Sequence, residues 1–313
     1  MNRQLIEHLI EFFRDRMSRY QIKVKRGDID SLASHAVEYY LSLTPPCVSN
    51  IKENMRQKIL YCLWGLHVDD CIDGGGDGGF LLGDSLKVLS CLPLKKKVNP
   101  QTSAGQVMKE LVERLLSVET CNSDIGRAFF FLDAIDQVKG FTYEQIIHTR
   151  REIAALFEFE EHSTLTKDHR ICLDIDICTT DKALSPNTIK KLRESFKFLG
   201  LALTYQGDIV TFESEFFEEK SLNSVLILGI ENSLLPSNVL DLESPEKHKI
   251  LENVIPALFD EIRMQSLKYR DLALDRLKEV KEIDTSSLEQ AIIHSIDSEF
   301  PGAKLERKST IVA

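Results

Sequence analysis

The residues best suited to chemistry lie in two acidic stretches. In "VDDCID", Asp69 and Asp73 are one helical turn apart and project from one face, while Asp70 points about 100° away. Two stacked carboxylates repel each other unless a cation sits between them. Hard divalent ions such as Mg²⁺ take oxygen ligands of this kind and complete their shell with water and substrate phosphates. The second stretch is "QGDIVTFESEFFEEK". Asp208, Thr211 and Glu215 follow at i, i+3 and i+7, one stripe of carboxylate, hydroxyl and carboxylate. Two facing helices with these stripes would make a trinuclear metal site for a diphosphate. A solvated acidic helix end is the plainer reading of either stretch alone.

Directly after Asp73 comes "GGGDGGFLLGD". Gly74, Gly76 and Gly79 satisfy GxGxxG in letter, but the dinucleotide fingerprint needs a strand leading in, and "MRQKILYCLWGLHV" has helical spacing. Asp73, Gly75, Asp77, Gly78, Phe80 and Asp84 fall on positions 1, 3, 5, 6, 8 and 12 of an EF-hand loop. Position 3 then lacks an oxygen-bearing side chain, and position 12 is the shorter Asp. The remaining reading is that the glycines end a helix and leave 74–79 as a loop free to close over a ligand, with Asp77 on the surface.

Helices must position both stretches. Apolar residues recur every third or fourth position in 103–120, 142–160, 187–206, 222–231 and 247–280, and alternating strand patterns are nearly absent. The breaks at 43–46, 74–79, 91–105, 181–188 and 234–238 are too short for interdomain linkers. Residues 1–313 therefore read as a single all-α domain of about ten to twelve helices. With 43% apolar residues in 313, a sizeable core is affordable. The amphipathic start "MNRQLIEHLIEFFRDRM" does not have the unbroken apolar run of a signal peptide, and no run reaches bilayer-spanning length. Seven cysteines without a CxxC pair suit a reducing compartment, so a cytoplasmic protein is expected. A net charge of −10, with "LKKK" and "ERK" as the short basic runs, disfavours a nucleic-acid partner. An anionic ligand would then need local cations or bound metal.

At these residues the chain resembles the class I terpene synthases (terpene cyclases) of the microbial, single-domain kind. "DDCID" fits the family's DDxxD at Asp69, Asp70 and Asp73. "GDIVTFESE" is similar to its second metal motif, (N/D)DxxSxxxE, with Asp208, Thr211 and Glu215 on the D, S and E. "EEKSLNSVLILGIENSLLPSNVLD" resembles the usual continuation, in which an Asn starts the next apolar helix. "YEQIIHTRREIAALFEFEE" resembles the segment that carries a diphosphate-sensing arginine just before a helix break. The matching pieces run in order over residues 50–240. Three positions depart from the pattern. Gly207 stands where the family has its first metal-binding Asn or Asp, which leaves Asp208 or a water to substitute. Ser214 occupies the position before the final Glu, often basic in the family, and in place of a C-terminal Arg-Tyr pair stand Arg307 and Lys308.

The resemblance implies a helical bundle with its active site in the core and a prenyl diphosphate, farnesyl or geranylgeranyl, as substrate. It implies ionisation and cyclisation of that substrate with release of diphosphate, and a cluster of three Mg²⁺ ions. The metal ligands it implies are Asp69, Asp73, Asp208, Thr211 and Glu215; the diphosphate-binding residues are Arg151, or else Arg150, with Arg307 and Lys308. Asp69 and Asp70 take catalytic roles with Trp64, which with Leu60 is expected on approximately the metal-site side of its helix, in the pocket or in ordinary core packing. Of Phe129, Phe130 and Phe131, one at most is expected to face the substrate. A homodimer and the absence of stable membrane insertion are compatible with the family. Two other readings are a chain-elongating trans-prenyltransferase, for which "LDIDICTTD" lacks an adjacent aspartate pair, and an all-α binding protein with degenerate metal motifs.

Overall fold

The computed structural model describes residues 3–23, 28–74, 76, 78–166 and 169–297. Arg307 and Lys308, expected to bind diphosphate, lie outside the described residues, as do Gly75 and Asp77.

Local sequence starts and stops the helices. The first group is α1 (Arg3–Tyr20), α2 (Ile29–Ser42), α3 (Ile51–Asp73), α4 (Gly78–Cys91), α5 (Ser103–Leu116), α6 (Ser123–Arg150), α7 (Leu156–Thr166) and α8 (His169–Cys178). The second is α9 (Pro186–Phe217), α10 (Ser224–Glu231), α11 (Ser244–Asn253), α12 (Ile255–Lys278) and α13 (Ser286–Asp297). Asn50, Thr102, Ser185 and Asn223 each cap a helix by accepting a backbone N–H in its first turn, which satisfies a donor the helix itself leaves open. Among the described residues there is no β-strand, only an isolated antiparallel bridge between Val48 and Thr180. The fold is all-α, as periodicity predicts. The number of helices among the described residues is about that expected, and 142–160 and 247–280 each contain a break, at Arg151 and at Val254.

Apart from α7, whose Phe159 joins the core around α9 and α12, the first group packs around Phe13, Ile59, Trp64, Leu111, Phe130 and Ile175. The 32-residue α9 passes out of this group, about 48 Å long at helical rise, and lies along α12. Its N-terminal half buries Phe196 and Leu199 with Leu277 and Ile292, and its C-terminal half buries Phe212 and Phe216 with Ile227 and Leu258. Two buried ion-pair clusters tie the helices together. Lys58 of α3 reaches Asp176 of α8 at 2.7 Å, both fully buried, and also donates to Thr44. Arg193 of α9 pairs with Asp174 and, at 2.8 Å, with Asp133 of α6. Asp174 and Asp176 of "LDIDICTTD" are thus structural counter-ions inside the bundle, while Asp181 is exposed. No helix among the described residues is long and apolar enough to cross a membrane.

Candidate active site

The last turns of α3 carry Asp69, Asp70 and Asp73, as the spacing predicts. Asp70 turns inward and is 8% exposed. Asp69 sits on the wall of a cavity of about 250 Å³. From α3 the wall continues one and two turns back to Gly65 and Tyr61, and α6 contributes Gln137, Phe141 and Glu144. Gln137 donates to the Tyr61 hydroxyl at 2.8 Å and to the Thr166 carbonyl at 2.9 Å, which fixes the Tyr61 ring. Tyr40 and Cys62 complete an aromatic and apolar lining, and burial pushes the Cys62 thiol up to about 11, so it stays protonated at neutral pH.

One turn further along α3, Asp73 borders a larger polar basin of about 710 Å³, shared with Gln145 and His148 of α6 and with Glu218, Glu219 and Lys220 beyond α9. The chain reverses after α9. Glu219 adopts a left-handed φ of 62°, and the Lys220 N–H closes back on the Glu215 carbonyl at 2.9 Å. That turn sends the Lys220 ammonium to within 2.7 Å of Asp73 and 3.6 Å of Glu218. Burial disfavours the Lys220 charge, but the bond to Asp73 and the fields of Asp73, Glu215 and Glu218 outweigh it and raise the pKa above its ordinary value.

The second motif lies on α9 and divides in two. Thr211 donates to the Gly207 carbonyl at 3.0 Å, and Glu215 accepts from Asn223 Nδ2 at 2.9 Å. Asn223 starts α10 as expected, accepting the Val225 N–H through Oδ1. Asp208 departs from the expectation of a metal ligand. It is 4% exposed, and its Oδ2 accepts the Ser224 N–H at 2.8 Å, so this oxygen is engaged at the α10 N-terminus. The oxygen chemistry of Asp69 and Asp73 fits a hard divalent ion. The α9 side offers one carboxylate and one hydroxyl, a donor short where Gly207 stands. Among the described residues no three carboxylate, imidazole or thiol side chains converge on a metal-sized site.

Arg151 ends α6 with a left-handed φ of 54°. Its guanidinium reaches Glu219 at 2.8 Å and Asp241 at 3.1 Å, beside the reversal after α9. Arg150 stays on the surface, 3.8 Å from Glu152. Lys220 and Lys247, the latter 3.6 Å from Glu219, were not singled out from sequence. The trace was the lysine in "FFEEK", five residues after Glu215 instead of just before it.

Two sequence expectations need correction, the catalytic role of Trp64 and the extent of the glycine segment. Trp64 does not line the cavity: its indole donates to Ser85 of α4 at 2.9 Å and packs edge-on against Phe141, backing the wall from behind. Five residues amount to about 500° of helix, which puts Trp64 about 140° from Asp69. Phe129, Phe130 and Phe131 do not line it either, within the expectation of one at most; Phe130 is core, and Phe129 lies under the Arg193 guanidinium at 4.0 Å. The glycine segment is shorter than 74–79, because α4 already begins at Gly78. A Cβ there would come within 2.7 Å of Ile72, so glycine permits the close approach of α4 to α3. Asp84 is on α4, where one oxygen accepts from Gln101 N, Thr102 N and Thr102 Oγ1 at 2.7, 2.8 and 2.9 Å. An EF-hand loop is thereby excluded.

No protein-family model matches the sequence, and no curated protein matches it. Solved structures do. The linalool/nerolidol synthase of Streptomyces clavuligerus, determined with 2-fluorogeranyl diphosphate, aligns over 94% of this chain and 95% of its own at a TM-score of 0.59 and 12% identity. The 2-methylisoborneol synthase of Streptomyces coelicolor A3(2), determined with Mg²⁺ and geranyl-S-thiolodiphosphate, aligns over 95% and 90% at 0.62 and 11%. The germacradien-4-ol synthase of Streptomyces citricolor aligns over 95% and 89% at 0.58 and 12%. Similarity this extensive at such low identity is a likeness of fold, and the fold of this chain is that of the class I terpene synthases.

Proposed function

We propose that the protein is a class I terpene synthase that ionises a linear prenyl diphosphate, farnesyl diphosphate foremost and geranylgeranyl diphosphate next, and cyclises the resulting cation. The observation that supports this most directly is the pairing of two cavities on consecutive turns of α3: an aromatic one edged by Asp69 and a polar one edged by Asp73 and Lys220. The first suits an isoprenoid tail, the second a diphosphate. In the reaction the allylic C–O bond breaks with its electron pair leaving on the diphosphate, π-bonds of the tail close rings on the cation, and loss of a proton or capture of water ends the sequence.

Asp69 and Asp73 would hold Mg²⁺, with Glu215 and Thr211 facing from α9; the ion supplies Lewis-acid stabilisation of the departing charge. Arg151 adds fixed positive charge on the basin side. Tyr61 and Phe141, both in the lining, would stabilise a passing cation where it meets a ring face, worth about 0.5–2 kcal/mol each. Trp64, behind them, keeps the wall rigid and dry. The seven free thiols suit a reducing, cytoplasmic location.

The test is incubation with farnesyl or geranylgeranyl diphosphate and Mg²⁺, with products identified by gas chromatography. Cyclic hydrocarbons or terpene alcohols are expected, lost in EDTA and nearly abolished in Asp69→Ala and Glu215→Ala. Longer diphosphates formed only when isopentenyl diphosphate is added would replace this reading with chain elongation. No product from any substrate would leave a binding protein.

A further inference from the structure

The second motif is one donor short, and the basin just beyond the end of its helix holds one ammonium among the carboxylates of Asp73, Glu218 and Glu219. Gly207 offers no side-chain oxygen, and Asp208 Oδ2 is engaged by the Ser224 N–H. In the gap between α3 and the end of α9 stands an ammonium instead. Lys220 Nζ is 2.7 Å from Asp73 Oδ2 and 3.6 Å from Glu218, and its own backbone N–H is bonded to the Glu215 carbonyl. The side chain is 19% exposed and borders the basin together with Gln145 and His148. It touches carboxylates of both acidic segments, Asp73 and Glu218, and the reversal at Glu219 fixes it there.

We infer that Lys220 is a diphosphate-binding residue whose ammonium supplies, on the α9 side, positive charge that the incomplete second motif cannot recruit as metal. The inference rests on the proposed function and adds a residue outside both acidic motifs. Without ligand the ammonium neutralises Asp73. With ligand, Asp73 would be free to hold the divalent ion and the ammonium would bind phosphate oxygens, a contact that lysine makes as a mobile point charge. Lys220 and the metal therefore compete for Asp73 but cooperate on the diphosphate.

That combination predicts changes of opposite sign in two binding measurements on the full chain. In the first, Mn²⁺ alone is titrated and followed by electron paramagnetic resonance; in the second, inorganic pyrophosphate is titrated calorimetrically in excess Mg²⁺. Lys220→Met should bind Mn²⁺ alone more tightly, because the competing cation has gone. It should bind pyrophosphate about tenfold or more weakly, the scale of one charge-assisted hydrogen bond. Lys220→Arg should restore pyrophosphate binding, and Lys220→Gln, measured in parallel, should follow Met if the smaller perturbation is needed to keep the fold. Unchanged pyrophosphate affinity in Met and Gln variants overturns the inference. So does a parallel fall of both affinities with thermal stability, which is the signature of a merely structural tie. Failure of the unaltered protein to bind pyrophosphate with Mg²⁺ would instead count against the proposed function itself.

Discussion

Replacing Asp208 separates a structural carboxylate from a metal ligand. Its Oδ2 accepts the Ser224 N–H at 2.8 Å in a site that leaves the residue 4% exposed. Asp208→Ala removes a charge-assisted hydrogen bond worth about 1.5–3 kcal/mol. It also removes a carboxylate from a helix N-terminus, worth about 0.3–1 kcal/mol. The sum is about 3 kcal/mol. Asp208→Asn keeps an acceptor oxygen and gives up the charge, about 1 kcal/mol. Unfolding entropy of about 2.1 cal/mol/K per residue over 313 residues is about 0.66 kcal/mol/K, so the Tm should fall by about 5 °C for Ala and about 1–2 °C for Asn. Scanning calorimetry reads these shifts, and titration of pyrophosphate in excess Mg²⁺ should give the Asn variant the affinity of the unaltered protein. If Asp208→Asn keeps the Tm but loses metal-dependent pyrophosphate binding, the carboxylate is a ligand after all and the assignment to α10 is refuted.

Arg151→Ala should weaken pyrophosphate binding and slow turnover while Arg150→Ala changes neither; the reverse result moves the sensor by one residue. Lys58→Met should destabilise the protein by about 3–5 kcal/mol, measured by guanidinium unfolding, because it strands Asp176 in a fully buried site. Burial pushes the Asp176 carboxyl up to about 6 from an ordinary 3.8, more than Lys58 and Asn54 draw it down, so the native state binds this proton more tightly than the unfolded chain. Its contribution is therefore fully present below about 4 and lost as pH rises through about 6, a change of about 3 kcal/mol between the unaltered protein and Asp176→Asn. Trp64→Phe should lower stability by about 1–2 kcal/mol, because the hydrogen bond to Ser85 and part of the buried ring are lost, and should leave the product unchanged. A new product profile from that variant would return Trp64 to the reacting pocket.

Sequence alone determined what is local to a helix. Periodicity placed Asp69 and Asp73 on one face and, where it resumes at 103, 187 and 222, the starts of α5, α9 and α10; a break beside Arg150 and Arg151 was visible in the segment that resembles the family's sensor. Each of these depends on bonds that span only a few residues, so spacing is sufficient to find them. Packing decided how each helix is rotated about its own axis. Two stripes overlap on α9, one through Gly207 and one through Asp208, and both contain Thr211 and Glu215. Only the docking of α10 turns the Asp208 carboxylate to the Ser224 N–H. In the same way α4 claims Trp64, and α5 claims Asp84. Lys220 was hidden for a different reason: its place depends on a left-handed turn at Glu219, a conformation that glycine would have signalled and glutamate does not. Helical spacing fixes the angles between side chains on one helix, but which neighbour each side chain meets is set by the burial of apolar faces on other helices, far away in sequence.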